Sequence, residues 1–275
     1  HRGDILKLKK QIAEIERHNL TVAEVRKEIF RLAAVKPGPP EWTFSSLNKN
    51  QSGTIGIPVA IWSDWHLGEV ITPSEVNHVN AFNLKIAEKR IKRLVERTLD
   101  VCFNHMVSPK YPGIVINLLG DIVSGDIHHE LTLTNEEPLF PVILKATDYI
   151  TAALQTLAEQ FPRVHVVCTP GNHGRQTHKP EFKRYTVRNA DWLIATLTER
   201  AFADRGEKRV TFSIPESGEL IYPVYEQRFL ATHGDALGVR GGDGIIGMIG
   251  PITRGEIKVS RSFSQVGQDY DMALM

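Results

Sequence analysis

Cysteine is scarce in this chain, long apolar runs are missing, and neither sign of charge dominates. Only two cysteines, Cys102 and Cys168, occur in 275 residues. Two are too few for a disulfide framework. Both lie in apolar, periodic surroundings and read as core thiols of a reducing, cytoplasmic compartment. No apolar run approaches the ~18 residues that cross a bilayer, so no membrane association is expected. The formal net charge is only +1. That excludes a wholly electrostatic nucleic-acid binder but leaves room for a local basic patch. No internal repeat or low-complexity tract is present. His1 rather than Met opens the chain, which leaves open what precedes it.

What is present falls into two textures. Ile5, Leu8, Ile12 and Ile15 recur at helical spacing, and Thr21 to Glu24 gives a capping box ahead of Val25, Ile29 and Leu32. Residues 1–35 are therefore expected to form a helical hairpin arm with basic residues at Lys7, Lys9 and Lys10. Its two apolar stripes need a partner, which makes homo-oligomerisation through the arm one expectation. Consecutive prolines in Lys36 to Pro40 end the helix, and residues 36–56 read as a linker.

From residue 57 strands and helices alternate. Ile57 to Trp62, Gly113 to Leu119 and Val164 to Cys168 read as buried strands. A long amphipathic helix carries Leu84, Ala87, Ile91, Leu94, Val95 and Cys102 on one face. Further helices are expected over 138–160 and around Asp191 to Phe202. Strand patterns follow at Arg209 to Ile214, Glu219 to Tyr225 and Arg228 to Thr232. Alternation of this kind indicates an α/β protein. Residues 271–275 close the chain as a polar cap followed by a strand that reads as buried.

Four of these strands run into polar residues suited to metals: Asp64 and His66, then Asp121, then Asn172 and His173, then His233. In open α/β sheets, sites form at the carboxyl ends of strands. Aspartate, histidine and asparagine together suit a divalent transition metal, and an aspartate between two such sets can bridge two ions. Each fragment alone is weak: Asp-x-His, Gly-Asp and a lone His are ordinary loop chemistry. Their order and shared position after apolar strands make the set specific.

The ordered set "DWH", "GD", "GNH" and "THGD" resembles the calcineurin-like metallophosphoesterases over about residues 57–275. The resemblance implies an α/β/β/α sandwich with an N-terminal helical arm. It implies a two-metal phosphoesterase that uses a metal-bridging hydroxide, with Mn first among Mn, Fe, Zn, Ni and Mg. Carried over by motif, Asp64 and His66 bind one ion, Asp121 bridges both, and Asn172 and His233 bind the second. His173 contacts the phosphate and protonates the leaving group, so the catalytic pair is His173 and Asp121. A looser resemblance of "GNHGR" and "HGD…GGDG" to phage and prophage members points to nucleic-acid phosphodiesters, DNA or RNA. A small phosphomonoester or a cyclic nucleotide is the alternative substrate. An impaired scaffold assembling through the arm is the alternative from another class.

Three departures stand out. The family's closing Gly-His-x-His has no counterpart, because no histidine follows His233. Three explanations are open: the natural protein continues past Met275, it is truncated and impaired, or the final strand is unrelated to that motif. A strand that reads as buried is an awkward place to stop, which favours the first. Gly174 stands where many relatives carry an acid. Ser124 stands where protein phosphatases orient the histidine with aspartate; Asp126 is the substitute to consider.

Arg175, His178 and His128 are candidates for substrate contact, against plain surface or loop roles. Arg240 to Gly247 reads equally as a phosphate-facing Gly loop or a connector. Arg254, Lys258 and Arg261 read as a solvated helix face, and His165 and Trp62 as core. Deleting residues 1–35 should leave a folded domain with a cooperative thermal transition by circular dichroism; loss of that transition would make the arm integral.

Overall fold

The computed structural model describes residues 39–44, 53–179, 181, 183–235 and 249–275. The expected arm and the 240–247 loop lie outside the described residues, as does part of the 36–56 linker. Four parallel strands form the first sheet in the order β1 (Val59–Trp62), β2 (Ile114–Leu118), β3 (Val164–Cys168), β4 (Val210–Ser213). Three more form a second sheet. In it β5 (Glu219–Val224) runs antiparallel to β6 (Gln227–Thr232), and β7 (Met272–Leu274) runs parallel to β6.

The period-2 alternation of strand side chains divides the core in two. Ile114, Ile116 and Leu118 of β2 and Val164, Val166 and Cys168 of β3 enter one apolar cluster. They pack there with α1 (Leu84–Asn104), α3 (Leu139–Gln160) and α4 (Ala190–Asp204). The other face sends Val115, Leu119 and Val167 into a second cluster with Tyr222, Val224, Phe229 and Ala231 of the second sheet. The layers are therefore helices, parallel sheet, second sheet. Each fully buried aliphatic side chain contributes about 1.5–3 kcal/mol, and β2 and β3 are buried on both faces along their whole length. Two further helices are the short α2 (His129–Thr134) and the longer α5 (Ile249–Gln265). No helix among the described residues is long and apolar enough to cross a membrane.

Helix starts follow from local chemistry. The Asn83 side chain accepts the Ile86 N–H at 2.9 Å, and Asn189 accepts that of Asp191 at 2.9 Å, each satisfying an otherwise orphaned donor. α1 then buries Leu84, Ala87, Ile91, Val95 and Cys102 along one stripe. Cys102 and Cys168 are both buried and unbridged.

Three expectations are corrected. Residues 39–44 are not plain linker: a 3₁₀ turn at Glu41–Thr43 seats Trp42 in the second cluster, and the Tyr225 N–H donates to the Thr43 carbonyl at 2.6 Å. Gly113 leaves room for this ring, since a Cβ there would lie 2.6 Å from Trp42. The first strand is not buried throughout, because β1 is a sheet edge and Ile61 stays 44% exposed. The last strand is also an edge, with Met272 exposed and Ala273 and Leu274 only half-buried. Arg254, Lys258 and Arg261 are exposed on α5, as a solvated face requires.

Between the sheets, polar groups are paired. The Tyr222 hydroxyl donates to Asn117 Oδ1 at 2.8 Å. His165, fully buried, has Thr211 Oγ1 2.9 Å from Nδ1 and Ser213 Oγ 3.1 Å from Nε2. Burial pulls this imidazole from its ordinary 6.5 down to about 4. The unfolded chain takes up a proton near 6.5 that the fold refuses. Stability should therefore be full above about pH 6.5 and fall towards pH 4, this group alone accounting for about 3 kcal/mol by pH 4. Denaturant unfolding across pH 4–7 for wild type and His165→Gln should show a shallower acid loss in the variant.

Candidate metal centre

The site grows from four loops that leave the carboxyl ends of β1, β2, β3 and β6. The first two are laced together by their main chains. The Asp64 N–H donates to the Gly120 carbonyl at 3.1 Å, His66 N–H to Asp121 at 3.0 Å, and Leu67 N–H to Ile122 at 2.9 Å. This path forces Asp64, Asp121 and His66 to φ of 55°, 50° and 44°. Non-glycine residues adopt the left-handed region at a cost, of order 1–3 kcal/mol where the conformation is strained, and such residues concentrate at functional sites. The β3 loop crosses close above: a Cβ on Gly171 would lie 2.2 Å from Asp121 Oδ1. Glycine there is a packing requirement.

Asp121 is the hub. Its Oδ1 accepts the His173 N–H at 2.7 Å, and its Oδ2 lies 3.1 Å from His233 Nε2. The same His233 nitrogen is 3.1 Å from Asn172 Oδ1. Asp64, Asp121 and His233 offer donor atoms within 4.8 Å of one another, and so do His66, Asp121 and His173. The structure thus brings together Asp64, His66, Asp121, Asn172, His173 and His233. The grouping differs from the expected one in two ways: Asp64 groups with His233 rather than with His66, and His173 stands among the donors near His66, their ring centroids 4.6 Å apart.

Ring orientations are set by carbonyls, which can only accept. His233 Nδ1 lies 2.7 Å from the Leu119 carbonyl, so that nitrogen carries a proton and Nε2 is the nitrogen turned to the cluster. His173 Nδ1 lies 2.8 Å from the Ser124 carbonyl. The main chain of residue 124 therefore orients the histidine, and Asp126 is exposed. Gly174 has its own reason: a Cβ there would meet Asn189 Oδ1 at 2.3 Å, so no acidic side chain fits.

Burial lowers His233, but the hydrogen bond and charge of Asp121 outweigh it and push the imidazole up to about 9. Burial raises Asp121, and the same contact with His233, joined by His173, holds it below the ordinary carboxylate value. Nε2 must shed this proton before it acts as a metal donor. Carboxylate and amide oxygens and imidazole nitrogens held so closely suit divalent ions.

The softer candidates separate. His128 is exposed with its ring centroid 6.1 Å from that of His173, beside the cluster. Arg175 turns inward on its own loop, its Nε donating to the Thr177 carbonyl at 2.8 Å and its Nη2 to His178 at 3.0 Å. His178 Nδ1 meets the Ile127 carbonyl at 2.6 Å. In this structure both residues brace loops.

Three supporting residues carry no motif. Asp191 is buried at the start of α4. Its Oδ2 accepts N–H groups from Asp121 at 3.0 Å and Gly171 at 2.9 Å, and its Oδ1 accepts Ile122 N–H at 3.1 Å. Burial pushes it up to about 6, against the pull of these N–H groups and with Asp121 repelling it. Asn189 donates to the Gly171 carbonyl at 2.7 Å. The Tyr185 hydroxyl lies 3.0 Å from that carbonyl and 2.9 Å from Asp235 Oδ2. The cap position of Asn189 is visible in "RNAD"; contacts to main chain leave no side-chain pattern to read.

No protein-family model, curated protein or solved structure matches this chain. Asp191→Asn should lower stability by about 1–3 kcal/mol, because one buried acceptor becomes a donor facing N–H groups. It should also weaken metal binding roughly 10–100-fold. Thermal unfolding and Mn²⁺ titration of folded protein check both; unchanged affinity would leave Asp191 a purely structural residue.

Proposed function

We propose that this cluster is a two-metal phosphoesterase centre of the kind the calcineurin-like metallophosphoesterases carry. The supporting observation is Asp121, one carboxylate shared by two sets of close donors, with each oxygen directed to a different neighbour. The helix, sheet, sheet layering is compatible with the α/β/β/α sandwich of that family. Asp64, His66, Asp121, Asn172 and His233 would hold two divalent ions, with Mn²⁺ the first to test. Such ions lower the pKa of a water, clamp phosphate oxygens and offset charge in an in-line displacement.

The chain's own residues then do the rest. Asp121 fixes the centre of the site through its buried position. His173, held through Nδ1 by Ser124, has Nε2 left to deliver a proton. A water that has already given one proton to solvent attacks as hydroxide; as its oxygen bonds to phosphorus and the ester P–O bond breaks, the departing oxygen takes the proton from His173. His66 packs edge-on against the His173 ring and restricts its tilt. Nucleic-acid phosphodiesters are the substrate we favour, on the strength of the looser phage-type resemblance.

A hydrolysis screen with Mn²⁺ tests this, using bis-p-nitrophenyl phosphate, p-nitrophenyl phosphate, and single- and double-stranded DNA. No metal-dependent release from any of them would leave the scaffold reading. His173→Asn should retain bound metal while losing roughly 10²–10⁴-fold in turnover, with a smaller loss on esters of very acidic phenols. Metal analysis beside kinetics decides, since equal loss of both would make His173 a ligand.

A further inference from the structure

We propose that a groove between β1 and α1, opening on Asp64, holds the non-leaving arm of the ester and selects an arm with a flat ring and a second anionic group. This rests on the phosphoesterase reading. The groove has a volume of about 320 Å³, within the roughly 300–1,000 Å³ of small-ligand sites. Ser63 and Asp64 are among the residues that line it, and Asp64 belongs to the candidate metal centre. The floor and walls are apolar.

Each wall has a sequence cause. Ala87, Arg90, Ile91 and Leu94 are spaced at i, i+3, i+4 and i+7, so α1 turns one face to the groove. Across from it, β1 is an edge strand among the described residues, and Ile61 keeps 44% of its surface exposed. Trp65 is half-buried, with its ring centroid 5.9 Å from that of Trp62. It therefore offers aromatic surface for stacking next to Asp64. Trp62 lines the same wall, and its buried indole N–H has no acceptor among the described residues. Buried donors are normally paired.

The charge at the rim points to an anion. The three acids of α1 are already matched: Glu88 with Lys92, Glu96 with Arg93, and Asp100 with Arg97. Arg90 has no carboxylate partner among the described residues. Its guanidinium carbon sits 5.1 Å from the centre of the Phe82 ring, and its Nη2 reaches Asn80 Oδ1 only at 3.4 Å. A cation held over an aromatic ring at the mouth of an apolar groove suits an anionic group on a flat, apolar body. A nucleotide arm and an aryl acid share that chemistry.

The test uses three p-nitrophenyl phosphodiesters with the same leaving group. Their second arm is methyl, phenyl, or thymidine 3′-phosphate joined through its 5′ oxygen. With Mn²⁺, kcat/KM should rise in that order. Arg90→Ala should lower the nucleotide-to-phenyl ratio by about fivefold or more, and Arg90→Lys should restore part of it. Leu94→Trp, which fills the groove, should lower the phenyl-to-methyl ratio by a similar factor. Ratios unchanged by both variants would overturn the groove. Arg90 is exposed, so its variants remain a test if Leu94→Trp does not fold. Equilibrium dialysis without added metal separates failure of the groove from failure of the phosphoesterase reading. Thymidine 3′,5′-bisphosphate and naphthalene sulfonate are the probes. Retention by wild type that weakens in Arg90→Ala supports the groove even if no ester is cleaved. No retention, or equal retention by both proteins, overturns it. Preference for the bisphosphate assigns a nucleotide arm; preference for the sulfonate assigns an aryl acid.

Discussion

One buried carboxylate keeps the loops of the site in place. Asp191 has no cation beside it among the described residues; its two oxygens take main-chain N–H groups from Asp121, Ile122 and Gly171. Those donors belong to the loops after β2 and β3, which Asp121, His173 and His178 also tie to each other through side-chain contacts to main chain. A carboxylate with several N–H donors is satisfied without being neutralised. Asn189, two residues earlier, caps α4 and grips the Gly171 carbonyl. The start of α4 is therefore a clamp on two loops at once. Asp121 inherits its left-handed backbone from that clamp and from the β1 loop, which donates to it from below.

The sheets explain why the clamp works at all. β2 and β3 are buried on both faces, so neither can slide without moving two apolar clusters. A one-residue slip would also exchange the two faces of each strand. Asn117 and His165 sit on the inter-sheet side, where Tyr222, Thr211 and Ser213 satisfy them. The strand ends, where Asp121 and Asn172 begin, are thus fixed before any loop contact is made.

Much of this was legible in the sequence, and the rest failed for physical reasons. The alternation of strands and helices could be read because apolar periodicity is local. The order of Asp64, Asp121 and Asn172 could be read because each follows a strand of one parallel sheet, whose carboxyl ends lie together; His233 joins them from β6 of the second sheet. Ile61 could not be placed, since nothing local says that β1 is an edge. Trp42 was hidden among prolines and serines, where one aromatic residue seats itself against a glycine 71 positions later. Asp191 was hidden because its partners are main-chain N–H groups, which every residue but proline has.

Histidine shows most clearly how surroundings divide one residue type into several roles. His165, His173 and His233 all follow or lie within strands of the same core. His165 has hydroxyls at both nitrogens and full burial, which leaves it neutral and structural. His173 and His233 each have a carbonyl at Nδ1, and a carbonyl can only accept, so both are left with Nε2 for chemistry. The carbonyls belong to Ser124 and Leu119, on either side of Asp121. No side-chain substitution can delete a carbonyl, so the tautomers are encoded in the path of the loop. That path needs Gly171 to let the β3 loop approach and Asp191 to hold it there. The nitrogen that each histidine presents is therefore set by residues that need touch neither metal nor substrate.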